Sequence, residues 1–460
     1  MKRNLIFTVL VLLAGTVVAQ SAFTLPKYEK YRLKNGLTVY LMEQHEVPVI
    51  YLNMVFRAGA VLDGERAGLA SFTAEALKYG TENYTKSEIE ETVDFLGSEF
   101  YTGAVKEYAY AYTYFNKRQQ ADILKVFGEV VRAPSFDSEE FEKGKKRKLA
   151  RLKQAKESPR GVIDAYWDKF IYGTHPYGNT AYGDQTGVQS LTVEDLRAFY
   201  AAHFSPQDAA IAVVGDFKTA DMKKRLDQMF KDWKGSKAKT RNAVAPINLE
   251  FDRSRVLLVN KNDSRETRFY IGGKGVPRDH PDYVGIQVIN TILGGRFTSW
   301  LNAELRINSG LSYGARSRFS THRLTGSFNI ASFTKTATTV EAIDLALKVL
   351  ARLHNEGPDE KTLSSAKNYI KGGFPTDYET SGELAALLTD FFIFGFDEDY
   401  IDSFQKKVDA LDRKAAQEII RKYFPKENLQ FVLVGKGEEI REQIRKYGEI
   451  TEKQITAPGY

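Results

Sequence analysis

Two stretches of this chain, 220 residues apart, follow one pattern, and that repetition limits the fold more than any other feature. His203-Phe204-Ser205-Pro206-Gln207-Asp208 runs into the apolar segment Ala209-Ala210-Ile211-Ala212-Val213-Val214-Gly215. Tyr423-Phe424-Pro425-Lys426-Glu427-Asn428 runs into Leu429-Gln430-Phe431-Val432-Leu433-Val434-Gly435. Each is an aromatic or histidine followed by Phe, a polar turn and a buried strand ending in Val-Gly. A capped amphipathic helix precedes each, at 191–200 and 411–420. Near the start of each copy a short strand recurs, 37–41 and 256–259. A second strand follows, 50–56 and 268–272, and then a helix, 67–77 and 281–293. Two copies of about 220 residues account for the chain after its leader. The class is α+β: two homologous domains, each a largely antiparallel sheet covered by helices.

The domains are expected over residues 20–233 and 248–460. The linker is expected over 234–247, where Lys234 to Asn242 is polar, basic and without periodicity. Further elements have clear periods. Tyr108, Tyr110, Tyr112 and Tyr114 alternate on one strand face, a pattern read as sheet packing. Stretches 119–132, 138–156 and 340–355 have helical periodicity. Residues 99–103 read as an edge strand able to accept an extended peptide. The basic run from Lys143 to Lys156 reads as a solvated helix face.

Composition removes several function classes. The chain has no cysteine, so disulfide scaffolds, thiolate metal sites and cysteine nucleophiles are excluded. No G-x-S-x-G elbow is present either. A formal net charge of +6 on 460 residues is a weak field and does not point to nucleic acid. Met1-Lys2-Arg3 followed by an apolar run from Leu5 to Val18 is the pattern of a secretory signal peptide, residues 1–19. The run is shorter than the roughly 20 residues of a spanning helix. The mature protein is therefore expected in a bacterial periplasm, without membrane insertion after cleavage.

The segment Gly68-Leu69-Ala70-Ser71-Phe72-Thr73-Ala74-Glu75-Ala76-Leu77-Lys78-Tyr79-Gly80-Thr81 resembles the signature helix of the pitrilysin/insulinase-like zinc peptidases, the inverted zincins. Their H-x-x-E-H motif sets two histidines one helical turn apart as zinc ligands, with a glutamate as general base. Here the framework stands without the chemistry. Ser71 and Glu75 occupy the two histidine positions and Ala74 the glutamate position. The resemblance puts the third ligand, a glutamate, on a later helix before His175-Pro176-Tyr177-Gly178, at Arg151 or its neighbour Ala150. Arginine has no lone pair to give and alanine no donor atom. None of the six histidines is three or four residues from another. No zinc is therefore expected in this chain, and a Glu75–Arg151 ion pair is expected in the vacated place. His175, beside a Pro-Tyr-Gly turn, reads as structural.

The second copy is similar to another family segment. Leu293-Gly294-Gly295-Arg296-Phe297-Thr298-Ser299-Trp300-Leu301 and Leu305-Arg306-Ile307-Asn308-Ser309-Gly310-Leu311-Ser312-Tyr313 follow its G-G-x-x-S-x-L and L-R-x-x-x-G-L-x-Y patterns. The resemblance gives Arg306 a hydrogen-bonding role toward a substrate carbonyl and Tyr313 a role at the oxyanion. It also implies that two domains make half of a clamshell. The expected function is thus a non-catalytic, substrate-binding subunit of a heterodimeric zinc endopeptidase. Zinc would sit in a sister chain carrying H-x-x-E-H, Arg306 and Tyr313 would act in trans, and extended, unfolded peptides would be the substrate. The alternative is an inactive scaffold or peptide-binding protein with no part in cleavage, the role inactive relatives play in a respiratory complex.

Overall fold

A computed structural model describes residues 23–235 and 244–460. The expected leader, 1–19, and residues 236–243 of the expected linker lie outside the described residues. The first sheet holds β1 (Glu29–Arg32), β2 (Thr38–Glu43), β3 (Val49–Phe56), β4 (Glu99–Ala104), β5 (Ala109–Asn116) and β6 (Ala209–Gly215), in the order β1-β2-β6-β3-β5-β4. The second holds β7 (Arg255–Asn260), β8 (Glu266–Lys274), β9 (Ala315–Thr321), β10 (Gly326–Lys335), β11 (Gln430–Gly435) and β12 (Glu449–Gln454), in the order β12-β7-β11-β8-β10-β9.

The repeated Val-Gly strands are β6 and β11, and every residue of both is buried. Each lies parallel to the first long strand of its half, β2 or β7, and antiparallel to the next, β3 or β8. The parallel pairing requires a long crossover, which the intervening strands and helices supply. The two sheets differ at one edge: β1 is antiparallel to β2, whereas β12 is parallel to β7.

Alternation on β5 separates two faces. Ala109, Ala111 and Thr113 are fully buried beneath the helices of their own half, while Tyr110, Tyr112 and Tyr114 turn to the other face. There Tyr51, Tyr101, Tyr112 and Tyr114 pack as an aromatic group, with Tyr51 and Tyr114 stacked at 5.4 Å.

Each half's own helices cover one face of its sheet, as expected. The opposite face receives a helix exchanged from the other half. Pro159–Tyr172 packs on β8 and β11. Its Val162, Ile163 and Trp167 share a cluster with Val259, Tyr270, Val432 and Val434. Ser381–Phe394 packs on β3 and β6 in the reciprocal way, and Leu384, Leu388 and Phe391 join Met42, Val55 and Ala212 in one core. Polar contacts fix both helices in register. Trp167 Nε1 donates to Ser327 Oγ at 3.1 Å, and Asn53 Nδ2 donates to Thr389 Oγ1 at 2.9 Å. Burying one large apolar side chain contributes about 1.5–3 kcal/mol, so the exchange binds the halves through several such terms.

His175-Pro176-Tyr177-Gly178 fastens the same junction. Pro176–Gly178 is a 3₁₀ turn, and Tyr177 N donates to His175 Nδ1 at 3.2 Å. Tyr177 is fully buried, and its hydroxyl donates to Glu107 Oε1 at 2.6 Å. The Glu107 carboxylate also accepts from Arg323 N at 2.9 Å. His175 therefore serves the turn, as expected. The His322 ring stacks on Tyr177 at 4.7 Å, and burial next to Lys106 lowers its pKa to about 3.

Candidate functional site

The helix Leu69–Ala76 starts from Gly68, whose φ of 98° lies in the left-handed region. A Cβ there would also meet Gly183 Cα at 2.9 Å, so glycine is required twice over. The first turn is capped from outside the helix by Asp63, which accepts from Gly68 N and from Ala70 N, both at 2.7 Å. Asp63 is 4% exposed, and its burial, opposed by those two bonds, pushes its carboxyl up to about 7. Seven of the eight residues of this helix are buried, Ser71 and Ala74 among them. Only Glu75 is partly exposed.

Facing it is the helix Ser138–Ala155, whose buried residues are Phe141, Gly144, Lys148 and Leu152. Lys148 thus stands on the inward face of the most basic stretch. Its Nζ donates to Ser71 Oγ at 2.9 Å and to Glu75 Oε1 at 2.6 Å. Ser71 Oγ donates in turn to Glu75 Oε1 at 3.2 Å. The ammonium lies 5.6 Å from the ring centres of both Phe72 and Tyr182, and Lys148 is 4% exposed.

The expected Glu75–Arg151 pair is therefore corrected: Lys148 makes it. Residues 148 and 151 are three apart on one helix and share a face. Counting back from the His175 turn across the helix end at Ser158 displaced the partner by about one turn. Arg151 is exposed and lines the cavity beside Glu75, and Ala150 is exposed as well. A metal does not fit this arrangement. A fixed cation already fills the space between Ser71 and Glu75, Ser71 is neutral, and buried Ala74 has no base to offer.

The cavity in front of this group measures about 480 Å³. One wall is the sheet edge and the loop after it, Thr102 to Val105, and another carries Tyr110, Tyr182 and Lys106. Asp164 and Asp168 of the exchanged helix Pro159–Tyr172 close it. Lys106 pairs with Asp168 at 2.8 Å and donates to Tyr177 O at 2.6 Å. Burial raises the Asp168 carboxyl, and Lys106 works against that rise.

Arg306 and Tyr313 come together elsewhere. Arg306 lies in a π-helical turn, Ala303–Asn308, a rare geometry that aims side chains irregularly. Its guanidinium sits over the Tyr313 ring at 4.3 Å and over Phe297 at 4.9 Å. Tyr313 is 74% exposed. It lines another cavity, of about 850 Å³, formed mainly by the second half with Ser158 and Arg160 of the first, and neither Ser71 nor Glu75 lines it.

Lys148 and Asp63 were not singled out from the sequence. For Lys148 a signal exists, since 141, 144, 148 and 152 form one helical stripe. Asp63 carries no such signal, because its partners are backbone groups.

Known proteins share the fold and stretches of the sequence. Residues 38–185 match the family model described as insulinase, peptidase family M16, and residues 190–370 match that described as peptidase M16 inactive domain. The chain is 23% identical to the non-peptidase homolog YmxG of Helicobacter pylori, over 92% of this chain and 97% of the relative. It is 25% identical to the zinc protease PqqE of the same bacterium, over 84% of this chain and 87% of the relative. A crystal structure of a peptidase M16 inactive domain from Pseudomonas fluorescens superposes with a TM-score of 0.82 at 25% identity, covering 89% of this chain and 98% of that one. A protease from Helicobacter pylori superposes with the same TM-score of 0.82 at 21% identity. The chain belongs to the M16, insulinase-type and pitrilysin-like peptidase family, as a non-catalytic member in which a lysine ammonium replaces the metal chemistry of the signature helix.

Proposed function

We propose that this chain is the non-catalytic, peptide-binding subunit of a heterodimeric zinc endopeptidase. Its partner is a sister chain carrying H-x-x-E-H and the zinc, and the pair works in the periplasm. The observation that carries the reading is the Lys148–Glu75 pair, with Lys148 buried in the place where the family's chemistry would sit, while the cavity in front of Ser71 and Glu75 stays open. A decayed site that only maintained the fold would gain more from closing that cavity with apolar side chains. The unpaired edge of β4 borders the cavity and offers backbone groups to an extended peptide. Helicobacter pylori has both a relative named non-peptidase homolog and one named zinc protease, which supports a division of labour between two chains.

In this reading Arg306 and Tyr313 act in trans. Tyr313 is exposed and Arg306 lies half-buried against its ring, so that a second chain can reach the pair. The test is co-expression with an H-x-x-E-H sister chain and steady-state cleavage of an unstructured peptide. Tyr313→Phe removes an oxyanion donor and should lower kcat about a hundredfold. Arg306→Ala should raise KM through loss of a substrate hydrogen bond. Unchanged kinetics in both variants would remove the trans role and leave a scaffold.

A further inference from the structure

The cavity that holds Tyr313 carries more positive charge than the fold requires. Arg160, Arg268, Arg296, Arg316 and Arg318 line it, against a single acid, Glu266. Only Arg318 has a carboxylate within ion-pair distance among the described residues. That partner is Asp164 at 3.5 Å, with both side chains more than half exposed. Such a pair contributes little. The Nε atoms of Arg268 and Arg296 are buried without a hydrogen-bond partner. Arg296 otherwise donates to Ser365 Oγ at 3.1 Å.

Strand register shows that these arginines are not a property of the shared architecture. Val213 and Leu433, related by the repeat, face Leu52 and Phe269. Tyr51 is therefore the counterpart of Arg268, and one step outward Tyr114 is the counterpart of Phe333. Tyr101 corresponds to Arg316 and Gly103 to Arg318. The same sheet face is aromatic in the first half, with the acid Glu99 at its edge and no cation at these positions, and cationic in the second. Five guanidinium groups gathered with one lining acid repel one another; Asp164 offsets only Arg318, and an anion from outside relieves the rest. Guanidinium forks match carboxylates in geometry and form strong charge-assisted bonds.

We propose that this cavity binds the acidic side chains of extended peptides, so that the chain selects substrates rich in Asp and Glu. This rests on the peptide-binding reading above and names its substrate class. The two cavities meet at the Asp164–Arg318 pair, since Asp164 lines the cavity of Glu75 and Arg318 lines this one. A peptide lying along β4 can therefore extend across the exchanged helix into the arginines. Arg316 and Arg318 are two residues apart on β9 and point the same way, which suits acids at alternate positions of an extended chain.

The experiment is fluorescence anisotropy on the full chain with three labelled peptides of one length. These are a Glu-Ser repeat, a Gln-Ser repeat and a Lys-Ser repeat, with single-stranded DNA as a further probe. The Glu-Ser peptide should bind at least about tenfold more tightly than the Gln-Ser peptide, and the gap should shrink as salt rises. Arg316→Gln with Arg318→Gln, both exposed, should erase the gap while leaving Gln-Ser binding intact. Equal binding of the Glu-Ser and Gln-Ser peptides would overturn this inference and leave peptide binding standing. Preference for DNA over the Glu-Ser peptide would overturn it in favour of a phosphate-backbone site. Binding of none of the peptides would instead remove the reading it rests on.

Discussion

Lys148 holds its charge between a serine hydroxyl, a carboxylate and two aromatic rings. A buried ammonium is tolerable only while its partner remains. Glu75→Gln should therefore cost about 2–3 kcal/mol in urea unfolding, because Lys148 is left unpaired at 5% side-chain exposure. Lys148→Met should cost less, about 1 kcal/mol, since Glu75 keeps 31% of its side chain in water. The double variant should be more stable than Glu75→Gln alone, and additive losses would exclude the pairing. His322 supplies a pH dependence. Its pKa falls from 6.5 to about 3 through burial first and then Lys106. The unfolded chain takes up a proton near 6.5 and the folded chain does not. Stability is thus intact above pH 6.5 and lost as pH falls toward 3. From pH 7 to 5 the loss from this residue should be about 1–2 kcal/mol, and His322→Gln should unfold with a correspondingly weaker pH dependence over that interval. At this scale the sequence was partly legible. The replacement of ligands at Ser71, Ala74 and Glu75 could be read directly, but the cation's identity depended on how two helices cross.

Among the elements, the repeat located β2, β3, β6, β7, β8 and β11 to within two residues but not β9 or β10, and the helices at 119–132, 138–156 and 340–355 stand nearly as their periods indicate. The exchange of the two helices was not legible. Ser381–Phe394 buries residues around much of its circumference, whereas Pro159–Tyr172 carries one buried stripe, 159, 162, 163, 166, 167 and 171, which marks a covered face without saying which sheet covers it. Each is sandwiched where the halves meet, a place no local pattern records. The tyrosines of β5 show the same limit. Alternation set their shared face, but whether that face was core or open depended on what the other half placed over it. Trp167→Ala should lower stability by about 3–5 kcal/mol, by opening a cavity against Tyr270 and orphaning Ser327 Oγ. Calorimetry checks this. A loss under 1 kcal/mol would mean that the helix does not bind the halves together.

For the whole molecule, two similar sheets, joined by reciprocal helices, carry one open cavity bordered by Ser71 and Glu75 and another lined by arginines. Ser71, Ala74 and Glu75 stand where the family's ligands and base would be, and in the proposed reading the chemistry comes from the sister chain. The most direct measurement is hydrolysis of an internally quenched, unstructured peptide by this chain alone, by an H-x-x-E-H sister chain alone, and by the two mixed. The account predicts turnover in the mixture, little from the sister alone and none from this chain. Turnover by this chain alone, or undiminished turnover by the sister without it, would contradict the account.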